Sequence, residues 1–372
     1  MKFIAAVIIL TITYFVQKML FSKYWNRGLE TDVYFNRDFV ECGENAELVE
    51  IVTNRKALPL PVFHLKFSVD KSLKFLDNDN SMVTDKFHKN EVFAVMGHQR
   101  ITRKHLFTAT LRGVVGISDA SVLVKDYFMT GSYATKAYCH DTIYVFPKKI
   151  NTERFNLSFR GIYGEIEARR SIVEDSLTFR GIRAYQSFDP YRSINWKQSA
   201  KSGDLMVNMY GYTTDSRVRI LLNLDNDYMI ETNKLLEEAI SLASSFARHF
   251  LDEGVGVSVV TNGRDGEGRV LPPVEEGAEK RHGITIDKTL TEIDGSEGKD
   301  YFLEILKKEM SSIKDEVLYL VISPYAKEDM MTLLDKLQSE GAAVHMVVPY
   351  YDEFPYVPNR SYADGWEVPL NV

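Results

Sequence analysis

The residues of this chain that could do chemistry are concentrated between Gly181 and Tyr210. The stretch combines arginines, aromatic residues and polar side chains in a spacing that neither a single helix nor a single strand explains. Its main members are Arg183, Tyr185, Asp189, Arg192, Asn195, Trp196 and Ser199. Pro190 fixes its own φ and restricts the residue before it, so the sequence predicts a turn at Asp189. Because an arginine can bind a carboxylate through two parallel hydrogen bonds, we expect Arg183, Arg192 and Lys197 to bracket Asp189.

Two interpretations of this stretch are open. It could be an ordered connection that braces two domains and performs no chemistry, or it could be a surface for a ligand or a protein partner. Trp196 would anchor the connection between the two domains. Because tryptophan brings a large apolar area with it, we expect its side chain to lie in a core.

A second group of candidates, Asp225 and Asp227, follows the apolar run from Arg217 to Leu224. Open parallel sheets bind ligands beyond the carboxyl ends of their strands, and carboxylates are ligands for Mg²⁺. Met229, two positions further on, is a poor ligand for a hard cation. The pair is therefore either a degenerate metal site or a solvated acidic turn that caps the next helix.

Composition and motifs exclude several classes of function. The formal net charge of -7 argues against nucleic acid as the main partner, because phosphate binding requires a basic face. The two cysteines, Cys42 and Cys139, do not form a disulfide framework, and two buried free thiols are expected. No histidine pair has zinc spacing, and no arrangement of nucleophile, base and oxyanion donors is present. We expect a protein that is not an enzyme and binds no cofactor, with Mg²⁺ as the open alternative.

The first 22 residues read as a transmembrane anchor. The segment from Phe3 to Phe21 has four polar residues in nineteen and would form a helix about 28 Å long, enough to cross the hydrocarbon of a bilayer. A cleaved signal peptide is the alternative, but no small-residue cleavage site follows. Lys18, Lys23 and Arg27 outnumber the positive groups on the other side, so the positive-inside rule favours a single-pass protein with a cytoplasmic body.

The remaining chain divides into three parts by pattern. Residues 23–150 contain short alternating runs separated by turn residues, which predicts a β-sandwich. Residues 151–213 form a connecting segment that includes the stretch described first and carries an excess of positive charge. This charge could face anionic lipid or an acidic partner, or it could be a solvated surface. Residues 214–372 alternate strands and helices, with the last strand predicted at 342–348; this predicts a parallel sheet covered on both faces.

The stretch from Arg183 to Ala200 resembles the signature of the domain-of-unknown-function 58 family, Arg-x-Tyr-x-x-Gly-Asp-x-x-Arg-x-Ile-x-Trp-x-x-Ser-Ala. The chain departs from this pattern at Phe188, which stands where the family has glycine. Gly43-Glu44 before a strand in the first part also resembles the family. The resemblance covers most of the chain after the anchor.

This resemblance implies a multi-domain, membrane-associated protein with a von Willebrand factor A-like α/β domain at 214–372. It further implies a MoxR-type AAA+ ATPase as partner and a role in the assembly of complexes or in the cell envelope. A von Willebrand A domain carries Asp-x-Ser-x-Ser at the position of Asp225, Asp227 and Met229, so the metal site would be incomplete. We therefore expect a membrane-anchored interaction module; the alternative is a divalent-metal-dependent adhesin or hydrolase that uses Asp225 and Asp227.

Overall fold

The computed structural model describes residues 2–76, 81–83, 86–139, 141–170, 175–186, 189, 191–211, 217–225, 233–294, 302–311, 317–352 and 357–369. The chain divides into two compact units, Met1–Lys148 and Lys149–Val372. The predicted anchor and residues 23–148 of the predicted sandwich fall in the first unit. The predicted connecting segment and α/β domain fall in the second.

The first unit begins with helix α1, Lys2–Tyr24, followed by twelve described strands. They are β1 Leu29–Phe35, β2 Phe39–Glu41, β3 Asn45–Asn54, β4 Leu60–Asp70, β5 Leu73–Phe75, β6 Ser81–Val83, β7 Lys86–Val95, β8 Gln99–Ala109, β9 Gly113–Gly116, β10 Ser118–Lys125, β11 Ser132–Lys136 and β12 Thr142–Phe146. The side chains of α1 from residue 3 to residue 13 are all exposed. By length and composition this helix could cross a membrane, a test that a signal sequence also passes.

The strands of the first unit form three sheets, in the orders β1-β3-β8-β5, β11-β10-β4-β7-β6 and β2-β12-β9. Burial alternates along β8, where Phe107 and Ala109 are buried and Thr108 is not, as expected for strands with one buried face. One hydrophobic cluster draws on all three sheets, including Leu48 of β3, Leu65 of β4 and Ile143 of β12. The predicted β-sandwich is therefore confirmed.

The second unit contains the remaining elements. They are α2 Glu153–Arg170, β13 Asp175–Ala184, a 3-10 turn Tyr191–Ser193, α3 Trp196–Ser202, β14 Met206–Gly211, β15 Arg217–Leu222, α4 Asn233–Asp252, β16 Gly256–Thr261, β17 Val274–Gly277, α5 His282–Glu292, α6 Phe302–Met310, β18 Val317–Ile322, α7 Glu328–Ser339, β19 Ala343–Tyr351 and β20 Ala363–Val368. Strands β13 and β14 pair antiparallel as a separate two-stranded sheet.

The large sheet of the second unit has the order β17-β16-β15-β18-β19-β20. Its pairs are parallel except for the edge strand β17, which runs antiparallel to β16. Both faces are covered, because Ile220 packs into the cluster that contains α4 and its neighbour Leu221 packs into the cluster that contains α7. The predicted α/β sheet is thus confirmed as a mixed, mainly parallel sheet.

One prediction about this region was wrong. The chain does not end its strands at 342–348, because β20 pairs parallel with β19 from Ala363 to Val368. The predicted connecting segment contains the eighteen-residue helix α2, an element that was not predicted. Phe155, Phe159, Ile162 and Ile166 of this helix are buried in the same cluster as α4, so α2 belongs to the core of the α/β unit.

Candidate functional site

The turn after β13 is held by a bidentate ion pair. The two terminal nitrogens of Arg183 each lie 2.6 Å from one carboxylate oxygen of Asp189. The backbone N–H of Gln186 donates to the same carboxylate at 2.8 Å, and the backbone N–H of Asp189 donates to the Gln186 carbonyl at 2.9 Å. The hydrogen bonds from Arg183 are the main reason why the pKa of Asp189 lies below its usual value.

Only part of the predicted charge group assembles. The Arg183 guanidinium and the Gln186 amide are the groups in the described part of the chain that hydrogen-bond to the Asp189 carboxylate. Arg192, in the 3-10 turn, and Lys197, in α3, are both exposed. The Asp189 carboxylate pairs with Arg183 through both oxygens, and neither Arg192 nor Lys197 forms an ion pair with it within the described residues, so the expectation that they bracket Asp189 was wrong.

Helix α3 is fastened to strand β14 by two polar residues of the signature. The side-chain oxygen of Asn195 accepts from the Gln198 backbone at 3.0 Å, which caps the helix, while its amide donates to the Asn208 side chain at 2.7 Å. The Ser199 hydroxyl donates to the Asn195 carbonyl and accepts from the Met206 backbone, both at 2.8 Å. These two residues therefore fix where α3 lies on the hairpin.

The aromatic residues of the signature are presented to solvent. The side chain of Trp196 is 66% exposed and that of Tyr191 is 76% exposed. Leu205, the residue before β14, is exposed as well. Tyr185 stacks on Tyr191 with ring centroids 6.1 Å apart. We call Tyr191, Trp196 and Leu205 the aromatic surface.

The prediction that Trp196 lies in a core was wrong. Trp196 is the first residue of a seven-residue helix that has no buried residue. The buried contact of this region comes instead from Ile194 and Val207, which are paired in an isolated bridge. Sequence reasoning also missed Tyr191 and Leu205. Without a helical or strand period, the sequence does not distinguish an exposed apolar residue from a buried one. The interpretation of the stretch as a connection between two domains stays a prediction.

The second candidate lies where the order of the large sheet reverses, at the carboxyl ends of β15 and β18. Asn223 donates from its side-chain nitrogen to the Ser323 hydroxyl at 3.0 Å, which joins the two strand ends. The side-chain nitrogen of Asn262 donates to Asp225 at 2.7 Å and to the Asn223 side chain at 3.1 Å. Asn223 and Asn262 also hold the backbone N–H groups of Asp225 and Leu224.

The described part of this network offers few ligands to a divalent cation. Mg²⁺ requires oxygen ligands in near-octahedral geometry, whereas Asp225 here faces an amide N–H donor. Within the described ranges no group of three His, Cys, Asp or Glu side chains could hold a metal. The second predicted ligand, Asp227, lies outside the described residues. Asn262 was missed as a member of this site because its partners are remote in sequence.

No family model matches this sequence, and no curated protein matches it. The chain is similar to the solved structure of the CARDB domain of the PF1109 protein from Pyrococcus furiosus, with 16% identity over 32% of this chain and 89% of that one, at a TM-score of 0.22. It is similar to a non-cellulosomal cohesin from Archaeoglobus fulgidus, with 13% identity over 35% of this chain and 97% of that one, at a TM-score of 0.23. A type II cohesin module of the ScaA scaffoldin from Acetivibrio cellulolyticus gives 7% identity over 32% of this chain and 97% of that one, at a TM-score of 0.24. Likenesses this weak define neither the fold nor the function of the chain.

Proposed function

We propose that this protein is a membrane-anchored interaction module that binds a protein partner through the aromatic surface and transforms no molecule. The observation that carries the proposal is the exposure of Trp196 on a small hairpin that is braced by the Arg183 and Asp189 pair. Tryptophan and tyrosine are the residues that most often dominate binding energy at interfaces. A rigid support lowers the entropic cost of binding, so the Arg183 and Asp189 pair increases the affinity that the exposed rings can provide.

The membrane anchor of this proposal is helix α1, retained in the mature protein. Phe21, near its end, is 1% exposed and lies in the hydrophobic cluster of the sandwich. Its ring is 5.5 Å from that of Tyr133 in β11. A cleaved signal peptide would remove this side chain from the core, which supports an anchor that stays attached.

The carboxyl end of the large sheet lends little support to the metal-dependent alternative. The crevice at a reversal of strand order is the usual ligand site of open α/β sheets. In this chain, the hydrogen bonds among Asn223, Asn262 and Ser323 join the strand ends there. We therefore include no metal in the proposal and do not favour the adhesin or hydrolase that would use Asp225 and Asp227.

The partner we propose is a MoxR-type AAA+ ATPase, and we place the soluble part of the chain in the cytoplasm. The support for this partner is the resemblance of residues 183–200 to the domain-of-unknown-function 58 signature. The von Willebrand A-like assignment of residues 214–372 is proposed on the same basis. The exposed side chains of Arg192, Lys197 and Lys201 around Trp196 would suit an acidic surface on the partner.

The test is a binding measurement with full-length protein in detergent and a purified MoxR-type ATPase from the same organism, by biolayer interferometry with and without ATP. We expect Trp196→Ala to weaken binding by roughly 30-fold, because truncation of a hot-spot tryptophan costs about 2 kcal/mol or more. Tyr138→Ala is the matched control, since Tyr138 is an exposed aromatic residue of the first unit. Equal affinities of the wild type and Trp196→Ala would refute the aromatic surface as the binding site, and absence of binding by the wild type would refute the ATPase as partner.

A further inference from the structure

One face of α1 packs against the sandwich. Tyr14, Gln17, Phe21 and Trp25 are partly or fully buried, while the residues before Tyr14 are exposed on all sides. The spacing of three, four and four residues places these four side chains on one side of a helix. The other positions between Phe15 and Lys23 are exposed. The second half of the helix is therefore docked, and the first half projects freely.

The part of the sandwich that reaches furthest along α1 is the turn between β10 and β11, residues 126–131, which we call the hairpin tip. The rings of Tyr14 and Phe128 have centroids 5.6 Å apart, and the Tyr14 hydroxyl lies 3.3 Å from the Thr130 hydroxyl. Closer to the end of the helix, the ring of Phe21 lies 6.1 Å from that of Tyr127. The hairpin tip thus runs beside the helix back to Tyr14, ten residues before the helix ends.

These contacts limit where a bilayer can lie. At a rise of ~1.5 Å per residue, the free part of the helix from Phe3 to Tyr14 is about 17 Å long. The hydrocarbon core of a bilayer is about 30 Å thick. If α1 crosses it, the hydrocarbon must extend past Tyr14 to the neighbourhood of Phe21. The hairpin tip beside Tyr14 would then lie within the lipid.

The chemistry of the hairpin tip suits that position. Its three consecutive residues Tyr127, Phe128 and Met129 are exposed, and Met129 is the most exposed at 66%. Several of its polar groups are bonded within the tip, and the Tyr127 hydroxyl donates to the Pro59 carbonyl at 3.3 Å. Asp126 is fully buried, its carboxylate accepts from the backbone N–H groups of Thr130 at 2.9 Å and Gly131 at 3.1 Å, and the backbone N–H of Met129 donates to the Asp126 carbonyl at 3.0 Å. These bonds satisfy part of the tip backbone, which favours its placement in lipid.

Positive charge surrounds the same end of the sandwich. Lys23 and Arg27 follow the helix, Lys125 precedes the hairpin tip, and Arg55 is joined to the helix end by its backbone N–H, which donates to the Gly28 carbonyl at 2.8 Å. Long cationic side chains at this level can reach anionic headgroups while the residues beyond them contact hydrocarbon.

From these observations we propose that the hairpin tip is a second membrane-contacting element, which inserts Tyr127, Phe128 and Met129 into the leaflet that holds the carboxyl-terminal half of α1. The occupant of this apolar surface is lipid, and the basic residues around it select an anionic membrane. The inference rests on the proposed membrane anchor.

The test uses full-length protein in phosphatidylcholine and phosphatidylglycerol vesicles, in a Cys42→Ser and Cys139→Ser background. A polarity-sensitive fluorophore is attached to Met129→Cys and, separately, to Phe128→Cys, so that one variant that fails to fold does not end the experiment. Leu111→Cys is the matched control, because Leu111 is 57% exposed in the loop after β8. Gln99, the first residue of β8, pairs with Asn54 near the helix end, so Ala109 at the other end of β8 lies about 33 Å away at ~3.3 Å per residue, and Leu111 follows it. Ile12→Cys, on the free part of α1, reports on the anchor itself.

With nitroxide groups on the lipid acyl chains, we expect the labels at positions 128 and 129 to be quenched at least fivefold more strongly than the label at position 111. Their emission should lie to the blue of the emission from the label at position 111. Quenching at position 12 without quenching at 128 or 129 would overturn the proposal and leave the anchor intact. Absence of quenching at position 12 would overturn the anchor as well. Weak quenching of the labels at 128 and 129 by the lipid nitroxides, together with a blue shift that disappears when the protein is diluted, would identify a second copy of the chain as the occupant. That result would also overturn the proposal.

Discussion

At the scale of single residues, the signature divides into side chains that build the hairpin and side chains that it presents. Asn195 and Ser199 form hydrogen bonds with the backbone of α3 and β14. Arg183 and Asp189 close the turn after β13. The side chains of Trp196 and Tyr191 are mostly exposed to solvent. A set of side chains that holds a scaffold and another that is displayed on it is the arrangement expected of a recognition element.

The ion pair of Asp189 gives the hairpin a defined dependence on pH. Because the pKa of Asp189 is lowered in the folded state, its contribution to stability is present above the pKa of the unfolded chain, about 3.9, and is lost as the pH falls through the folded value. We expect hydrogen exchange of the Gln186 amide, corrected for the intrinsic rate, to be constant from pH 7 to 5 and to accelerate below about pH 4. Mass spectrometry of peptides that contain Gln186 measures it.

The Asp189→Asn variant isolates this effect. It should exchange faster at every pH and lose the acid-dependent part, because its amide can no longer accept the charge-assisted pair from Arg183. Asp204→Asn, at an exposed position of the same hairpin, is the control and should match the wild type. An Asp189→Asn variant that is protected as well as the wild type would show that the pair does not hold the turn.

At the scale of elements, helix α2 is an integral part of the α/β unit. Phe155 is fully buried and its ring lies 4.7 Å from that of Phe246 and 4.9 Å from that of His249 in α4. Phe155→Ala should lower the free energy of unfolding by about 3–5 kcal/mol, as other truncations of buried aromatic residues do. Leu157→Ala, on the same helix at 63% exposure, should change it by less than ~0.5 kcal/mol.

Guanidinium denaturation of the full-length variants, followed by circular dichroism, measures both values for α2. Both substitutions place alanine on the same helix, and they differ mainly in the burial of the side chain that is removed. Similar losses for Phe155→Ala and Leu157→Ala would place α2 outside the core of its unit.

The elements also show which signals a single sequence carries. Short strands were predicted for residues 23–150 and alternating strands and helices for residues 214–372, because alternation or a helical period is present in these segments. Helix α2 was missed although its buried residues Phe155, Phe159, Ile162 and Ile166 follow a helical period, because Gly161 and Gly164 lower helix propensity within it. Strand β20 is short and polar on one side, and its only strand partner within the described residues is β19, so its pairing has no local signal.

The candidate site shows the same limit of sequence reasoning. The pairing of Arg183 with Asp189 follows from their chemistry and their separation by a turn. The exposure of Trp196 does not follow from the sequence, because it depends on which residues near a short helix are buried. The buried residues here are Ile194 and Val207. The Asn223 and Asn262 network joins strands that are distant in sequence and could not be derived from spacing.

At the scale of the whole molecule, helix α1 and the end of the sandwich that meets it carry an excess of positive charge. Lys18, Lys23 and Arg27 lie on the carboxyl-terminal side of the apolar segment, and Arg55 adjoins Gly28 there. Glu30 pairs with Arg55 at 2.8 Å and offsets one of these charges. Because positively charged segments close to a membrane span stay on the cytoplasmic side, the soluble part of the chain is expected there.

Reporter fusions at the carboxyl terminus measure this orientation in a bacterial host. A green fluorescent protein fusion should fluoresce and an alkaline phosphatase fusion should be inactive, because each reporter works on one side of the membrane. In a variant that combines Lys18→Gln, Lys23→Gln and Arg27→Gln with four lysines added before Phe3, both readouts should invert, since the charge difference across the span changes sign. Active alkaline phosphatase with the wild-type sequence would place the aromatic surface on the outer side of the membrane, where a cytoplasmic ATPase could not reach it.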